Sequence, residues 1–321
     1  MSEAGSSRPV FVLTFHRGGG TVLVRVLNCH PELVIWGEHV GLINRLAEID
    51  DMVRRVGRLM YPKTDKSIAE YVNVPNRRLT EFDPWANPFD YDTFRRSCRE
   101  MIEAIFTRGL KVGQRWGFKE IRYHRLLTVR FLEKLFPTAQ FIILRRDVEE
   151  VAVSAILASW SLRWFSKYRV AMPIEVAEEI VDDVTYALLA IENGLDTIHS
   201  HLGRRCLQLN YAQLLDASLG FVTPLFTFLE LATPAEVIVR IREALAVRAG
   251  GTDREIHFGG ILSPEFIRSR ITAIAPNVRA DIARNGIDKC RLVARQGRGQ
   301  YSFLVGDHTM RDRESEFSSL F

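Results

Sequence analysis

The stretch VFVLTFHRGGGTVLVRVL, Val10 to Leu27, limits what this chain can fold into more than any other. Val10 to Phe15 are an apolar run, interrupted only by Thr14, rich in β-branched and aromatic residues. That is the pattern of a strand covered on both faces, and hence of a central strand in a parallel sheet. Gly18, Gly19 and Gly20 then turn the chain, and Thr21 to Cys29 set Val22, Leu23, Val26 and Leu27 at helical spacing. Asn28-Cys29-His30-Pro31 ends this helix, because proline disfavours helix in the residue before it.

The same alternation continues downstream. A segment from Tyr61 to Asp92, broken by Pro62, Pro75, Pro84 and Pro88, reads as an excursion or lid. A helix over Tyr91–Gly109 follows, then a strand in RWGFKEIRY, a helix over Leu126–Phe136 and a buried strand in AQFIILRRD. Helical periodicity resumes over Asp147–Tyr168 and Glu175–Leu202, CLQLNY reads as a strand, and Pro234–Ala249 as a helix. Strands alternating with helices imply crossover connections, so the expected fold is α/β, a P-loop-like central parallel sheet flanked by helices. A single domain over 9–290 is expected, with 291–321 as a C-terminal extension. Trp160, Trp164, Phe165 and Tyr168 fall at helical spacing and read as core packing.

Composition narrows the function classes. Of the 321 residues, 47% are hydrophobic and 26% charged, close to average globular usage, which points to neither a disordered nor a fibrous chain. The net charge of +4 is spread along the chain and suits an anionic ligand, without the clustered basic and aromatic residues of a nucleic-acid surface. Cys29, Cys98, Cys206 and Cys290 lie far apart, which speaks against a zinc site or disulfide framework and for a reducing, cytoplasmic setting. No secretory leader and no membrane span are expected from the pattern of apolar runs.

A strand, a glycine turn and a helix N-terminus make an anion site, because unpaired amides and the positive helix end converge there. Thr21 at the helix start can cap it and donate to a bound oxygen. The lysine of a nucleoside-triphosphate loop is missing, since Gly20 runs straight into Thr21. The dinucleotide pattern G-x-G-x-x-G fails too, with Leu23 where its third glycine belongs. Arg17 stands at the entrance instead, a cation whose fork suits a phosphate or sulfonate. A second junction, FIILRRDVEEVAVSAIL, sets Arg146 at a strand end and Ser154 eight residues later on the next helix.

FHRGGGTVLVRVLNCHPELVIWGEH resembles the 5′-phosphosulfate loop of PAPS-dependent sulfotransferases, especially the carbohydrate and tyrosyl-protein type, in which an R-S-G-T-T turn follows the first strand. On that resemblance Arg17, Gly19 and Thr21 take the places of the loop arginine, glycine and second threonine. Gly18 and Gly20 depart from it, replacing a serine and a threonine. Arg146 and Ser154 match the family's 3′-phosphate site, Lys119 its Trp-Gly-x-Lys lysine, and Tyr211 its Tyr-Glu-x-Leu tyrosine, with Gln213 a departure. ITAIAPNVRADIARNGID is similar to the closing helix, so the resemblance runs from about Pro9 to Asp288.

The resemblance implies PAPS as donor, PAP as product, and in-line transfer of a sulfuryl group to a hydroxyl or amine without a metal. Arg17 and Lys119 would supply the charge. The base is Glu38 or His39; Glu38 is favoured, with His39 expected in the pocket. The acceptor stays open between small molecule, glycan and peptide, as does assembly into a homo-oligomer. Two rival readings remain: a P-loop kinase-like phosphotransferase using ATP and Mg²⁺, and a catalytically inactive PAP-binding protein.

Overall fold

Phe11, Leu13 and Phe15 point to one side of the first strand while Val10 and Val12 point to the other, and all are buried. Both faces of that strand must therefore be covered. In the computed structural model, which describes residues 8–60, 90–158, 172–247 and 261–286, this is met by a five-stranded parallel sheet with helices on each side.

The described elements run β1 (Val10–Thr14), α1 (Gly20–Leu27), β2 (Leu33–Trp36), α2 (Leu42–Met60), α3 (Tyr91–Phe106), β3 (Arg115–Glu120), α4 (Leu126–Leu135), β4 (Gln140–Arg145) and α5 (Val148–Ile156). They continue as α6 (Ile174–Leu202), β5 (Cys206–Asn210), α7 (Tyr211–Leu215), α8 (Val222–Phe228), α9 (Ala235–Ala246) and α10 (Pro264–Asn285). The sheet order is β2-β3-β1-β4-β5. Register aligns Leu13 with Glu120 on one side of β1 and Thr14 with Leu144 on the other. One core packs Phe11, Phe118 and Phe141 under residues of α2 to α6 and α10; the second packs Val12, Ile142 and Leu144 under α1, α8 and α9.

That order fixes where a ligand can enter. The chain leaves β1 through α1 toward β2 on one side of the sheet, and leaves β4 through α5 and α6 toward β5 on the other. Helices α1 and α5 belong to opposite cores. A crevice therefore opens at the carboxyl ends of β1 and β4, the switch point at which open α/β sheets hold their ligands.

The expected alternation agrees with the observed elements, with differences at β2, α2, α5, α7 and α8. Leu33–Trp36, read only as the stretch after the first helix, is the edge strand β2; Asn28 covers it by accepting the Ile35 N–H at 2.7 Å and donating to the Ile35 carbonyl at 3.0 Å. Helices α2 and α8 have no counterpart in the sequence reading, and Tyr211, read as the end of the CLQLNY strand, instead opens α7, with Asn210 as its cap. Helix α5 ends at Ile156 rather than continuing to Tyr168, and Leu157 and Ala158 remain buried beyond it, so apolar spacing outlasts the helix. Of the expected excursion over Tyr61 to Asp92, residues 61–89 lie outside the described residues, as do the aromatic group from Trp160 to Tyr168 and the extension over 291–321, while Asp90 to Asp92 form the cap and first turn of α3.

Candidate active site

The β1–α1 loop turns tightly enough that Gly19, at φ 87°, is the N-cap of α1. Left-handed backbone of this kind favours glycine. Gly19 also needs to lack a side chain, because a Cβ there would fall 2.1 Å from the Tyr211 ring. The first amides of α1 have no intrahelical acceptor and face the crevice with the positive end of the helix. Thr21 is exposed on that first turn. Thr14 explains why glycines replace the hydroxyl residues of the resembled loop: a Cβ at Gly18 would lie 2.6 Å from Thr14 Oγ1, and one at Gly20 2.8 Å from Thr14 Cγ2. Thr14 is itself fixed by donating to the Leu144 carbonyl at 2.9 Å.

The second junction meets the first. Arg146 Nη1 donates to the Arg17 carbonyl at 2.9 Å, and Arg17 Nε donates to Ser154 Oγ at 3.0 Å. The Arg146 guanidinium lies over the Tyr211 ring at 4.9 Å, a cation–π contact that fixes its plane. Arg17, Arg146, Ser154 and Tyr211, spread over almost two hundred residues of sequence, thus form one contiguous group. Asp147 starts α5 by accepting the Glu150 N–H at 3.0 Å, which orients the helix that carries Ser154.

Lys119 reaches the same place from β3, its aliphatic chain passing 3.0 Å from where a Gly20 Cβ would stand. Its Nζ contacts Glu38 Oε1, and Arg122 Nη1 lies 3.3 Å from Glu38 Oε2 and 2.7 Å from Glu120 Oε1. Glu38 stays exposed at the rim. His39 points inward instead, its ring against Phe106, Phe118 and Tyr123 and its Nε2 hydrogen-bonded to the Tyr123 hydroxyl. Burial lowers the His39 pKa despite the nearby Glu120 carboxylate, and burial pushes the Tyr123 phenol well above its ordinary value.

Every candidate donor-site or base residue read from the sequence therefore comes to one edge of the sheet, with His39 the one set into an aromatic box rather than beside the glycine loop. Four neighbours went unread: His16, Glu120, Arg122 and Tyr123. His16 precedes the loop arginine, and its pKa is pushed down to about 4, first by burial, then by Arg17, Lys119 and Arg122 against the opposing Glu38. The signal for Glu120 and Arg122 was their place beside Lys119 in RWGFKEIRY, which alone does not separate them from a solvated strand end. A depression lined by Pro31, Glu32, Lys111 and Gln114 lies at the amino ends of β2 and β3, away from this group.

A family model described as "Sulfotransferase family" matches residues 9–235, more than half of the chain. Among solved structures, the sulfotransferase STF9 from Mycobacterium avium is 16% identical, covering 86% of this chain and 78% of its own at a TM-score of 0.46. A sulfotransferase from Alicyclobacillus acidocaldarius is 14% identical, covering 84% of this chain and 96% of its own at a TM-score of 0.43. Mouse sulfotransferase SULT7A1 complexed with PAP is 10% identical, covering 88% of each chain at a TM-score of 0.42. No curated protein matches the sequence.

Proposed function

Because the chain belongs to the sulfotransferase family, we propose that it moves the sulfuryl group of PAPS to a hydroxyl or amine of its acceptor, with Glu38 as base and PAP as product. The observation that carries this reading is the direct contact between the two strand-end junctions, Arg146 with Arg17 and Arg17 with Ser154. One crevice then offers cations, helix amides and a hydroxyl, the donors that bind anionic groups. Gly18 to Thr21 with Arg17 would cradle the 5′-phosphosulfate, and Arg146, Ser154 and Tyr211 would hold the 3′-phosphate end.

The donor supplies an activated sulfur–oxygen bond. As the acceptor atom bonds to sulfur, the bond from sulfur to the 5′-phosphate oxygen breaks, and its electron pair departs with PAP. Glu38 takes the acceptor proton. Arg17 and, once it turns from Glu38, Lys119 would stabilise the charge that grows on the leaving phosphate, electrostatic stabilisation of this kind being usually the largest single contribution in group transfer. Lys119 pairs with Glu38 in the structure, so its turning toward the donor also frees the carboxylate to act. Small-molecule, glycan and peptide acceptors all fit this scheme, and residues 9–290 are taken as the domain that performs it.

The test is a melting comparison of the purified protein with PAP and with Mg-ATP, followed by transfer of labelled sulfate from PAPS to a broad acceptor panel. We expect PAP alone to raise the melting temperature, and Arg17→Ala to lower turnover by about 100-fold or more. Stabilisation by Mg-ATP and not by PAP would replace this reading with the kinase-like one. PAP binding without turnover on any acceptor would leave a nucleotide-binding protein and no enzyme.

A further inference from the structure

We propose that Glu120, whose hydrogen bonds among the described residues go to the turn after Glu38 and to the segment just after β3, is a positioning residue for Glu38, acting through the Gly37–Gly41 turn and through Arg122; this rests on the reading of Glu38 as the base. The Glu120 side chain is fully buried at the end of β3. A buried carboxylate needs several donors, and every one found for it comes from the neighbourhood of Glu38 or from the segment just after β3. Oε2 accepts the His39 N–H at 3.2 Å and the Gly41 N–H at 3.0 Å; Oε1 accepts the Ile121 N–H at 2.9 Å and Arg122 Nη1 at 2.7 Å.

Two alternate amides closing on one oxygen make the His39–Gly41 turn an anion nest wrapped around a carboxylate of the protein itself. The backbone between them is unusual. Val40 has φ 58° and Gly41 φ 72°, and a β-branched residue in left-handed backbone is an outlier that its surroundings must impose. Burial does not impose it, because Val40 is 72% exposed. The turn is closed by the Leu42 N–H donating to the His39 carbonyl at 3.2 Å, and the Glu120 carboxylate holds the two amides that flank Val40. Held in this way, the turn presents Glu38 to Lys119, and Arg122 bridges Glu38 Oε2 and Glu120 Oε1. Below the turn, Tyr123 accepts the Ile43 N–H at 2.9 Å and contacts His39, so the turn is fixed at both ends.

The charged and titratable groups around Glu38 are Lys119 on β3, Arg122 after it, His39 beside it and His16 in the β1–α1 loop. Removing the Glu120 charge takes a negative group away and leaves Arg122 wholly to Glu38. Both effects favour ionised Glu38 and move the acid limb of the rate profile to lower pH. The full-length protein is therefore assayed as wild type, Glu120→Gln, Glu120→Gln with Val40→Gly, Arg122→Gln and Glu38→Gln, with PAP affinity by calorimetry and kcat against pH.

For Glu120→Gln we expect kcat about 10-fold or more lower, an acid limb displaced to lower pH and PAP affinity within about twofold of wild type. Adding Val40→Gly, which needs no external force to hold the turn, should restore at least about threefold of the lost kcat. Arg122→Gln removes a cation from Glu38 and should move the limb the opposite way, an arm that serves if Glu120→Gln does not fold. An unchanged limb in both single variants, or no rescue by Val40→Gly, overturns the proposal while Glu38→Gln still abolishes the limb. If Glu38→Gln keeps the limb, the base assignment falls and the positioning role falls with it.

Discussion

At the scale of residues, the site depends on what is missing from three positions and what fills the space. Thr14 occupies the volume that side chains at 18 and 20 would need, and its hydroxyl is tied to β4. Gly18→Ser should therefore destabilise the protein by about 1–3 kcal/mol, the usual cost of forcing extra atoms into a packed place. Combined with Thr14→Ala, the two changes should couple favourably by about 1 kcal/mol, read from urea denaturation of both singles and the double. The remaining neighbours of that Cβ, Phe15 O at 3.0 Å and Phe15 Cβ at 3.2 Å, keep the rescue partial. Arg17, Arg146 and Ser154 were legible in the sequence because each sits at a strand end or on the helix after it. Glu120 and Tyr123 were not, because their partners are backbone amides of a turn some eighty residues away.

At the scale of elements, the β1–α1 unit carries its own acid sensitivity. His16 stays neutral in the folded state down to about pH 4, whereas in the unfolded chain it takes up a proton near 6.5. Above pH 6.5 both states hold the neutral ring and the group has no effect. Between 6.5 and 4 only the unfolded chain binds the proton, so stability falls on acidification, by up to about 3 kcal/mol from this group. His39 acts in the same direction. Denaturation followed from pH 7 to pH 4 should show this loss, and His16→Gln should flatten much of it; an equally steep fall in the variant would remove His16 as its source. The elements themselves were legible wherever apolar runs or amphipathic spacing extended over several turns. β2 escaped because its four residues, Leu33 to Trp36, show too little alternation, and its status as a strand comes from pairing with β3 and from the Asn28 side chain on its other edge.

At the scale of the whole molecule, function follows from strand order. Placing β1 between β3 and β4 brings Lys119, the glycine loop and Arg146 to one edge, and sending the two crossovers in opposite directions opens the crevice between them. The alternation of strands and helices was legible in the sequence, but the neighbours of β1 were not, since crossover connections allow several orders. The direct measurement is calorimetry of PAP and of AMP, which lacks the 3′-phosphate, on wild type and Arg146→Ala. The wild type should bind PAP about 10-fold or more tightly than AMP, through a charge-assisted contact with the 3′-phosphate. Arg146→Ala should bind the two nearly alike, with AMP affinity little changed. A variant that keeps the full preference for PAP would contradict the claim that the ends of β1 and β4 grip the two phosphate positions of a single donor.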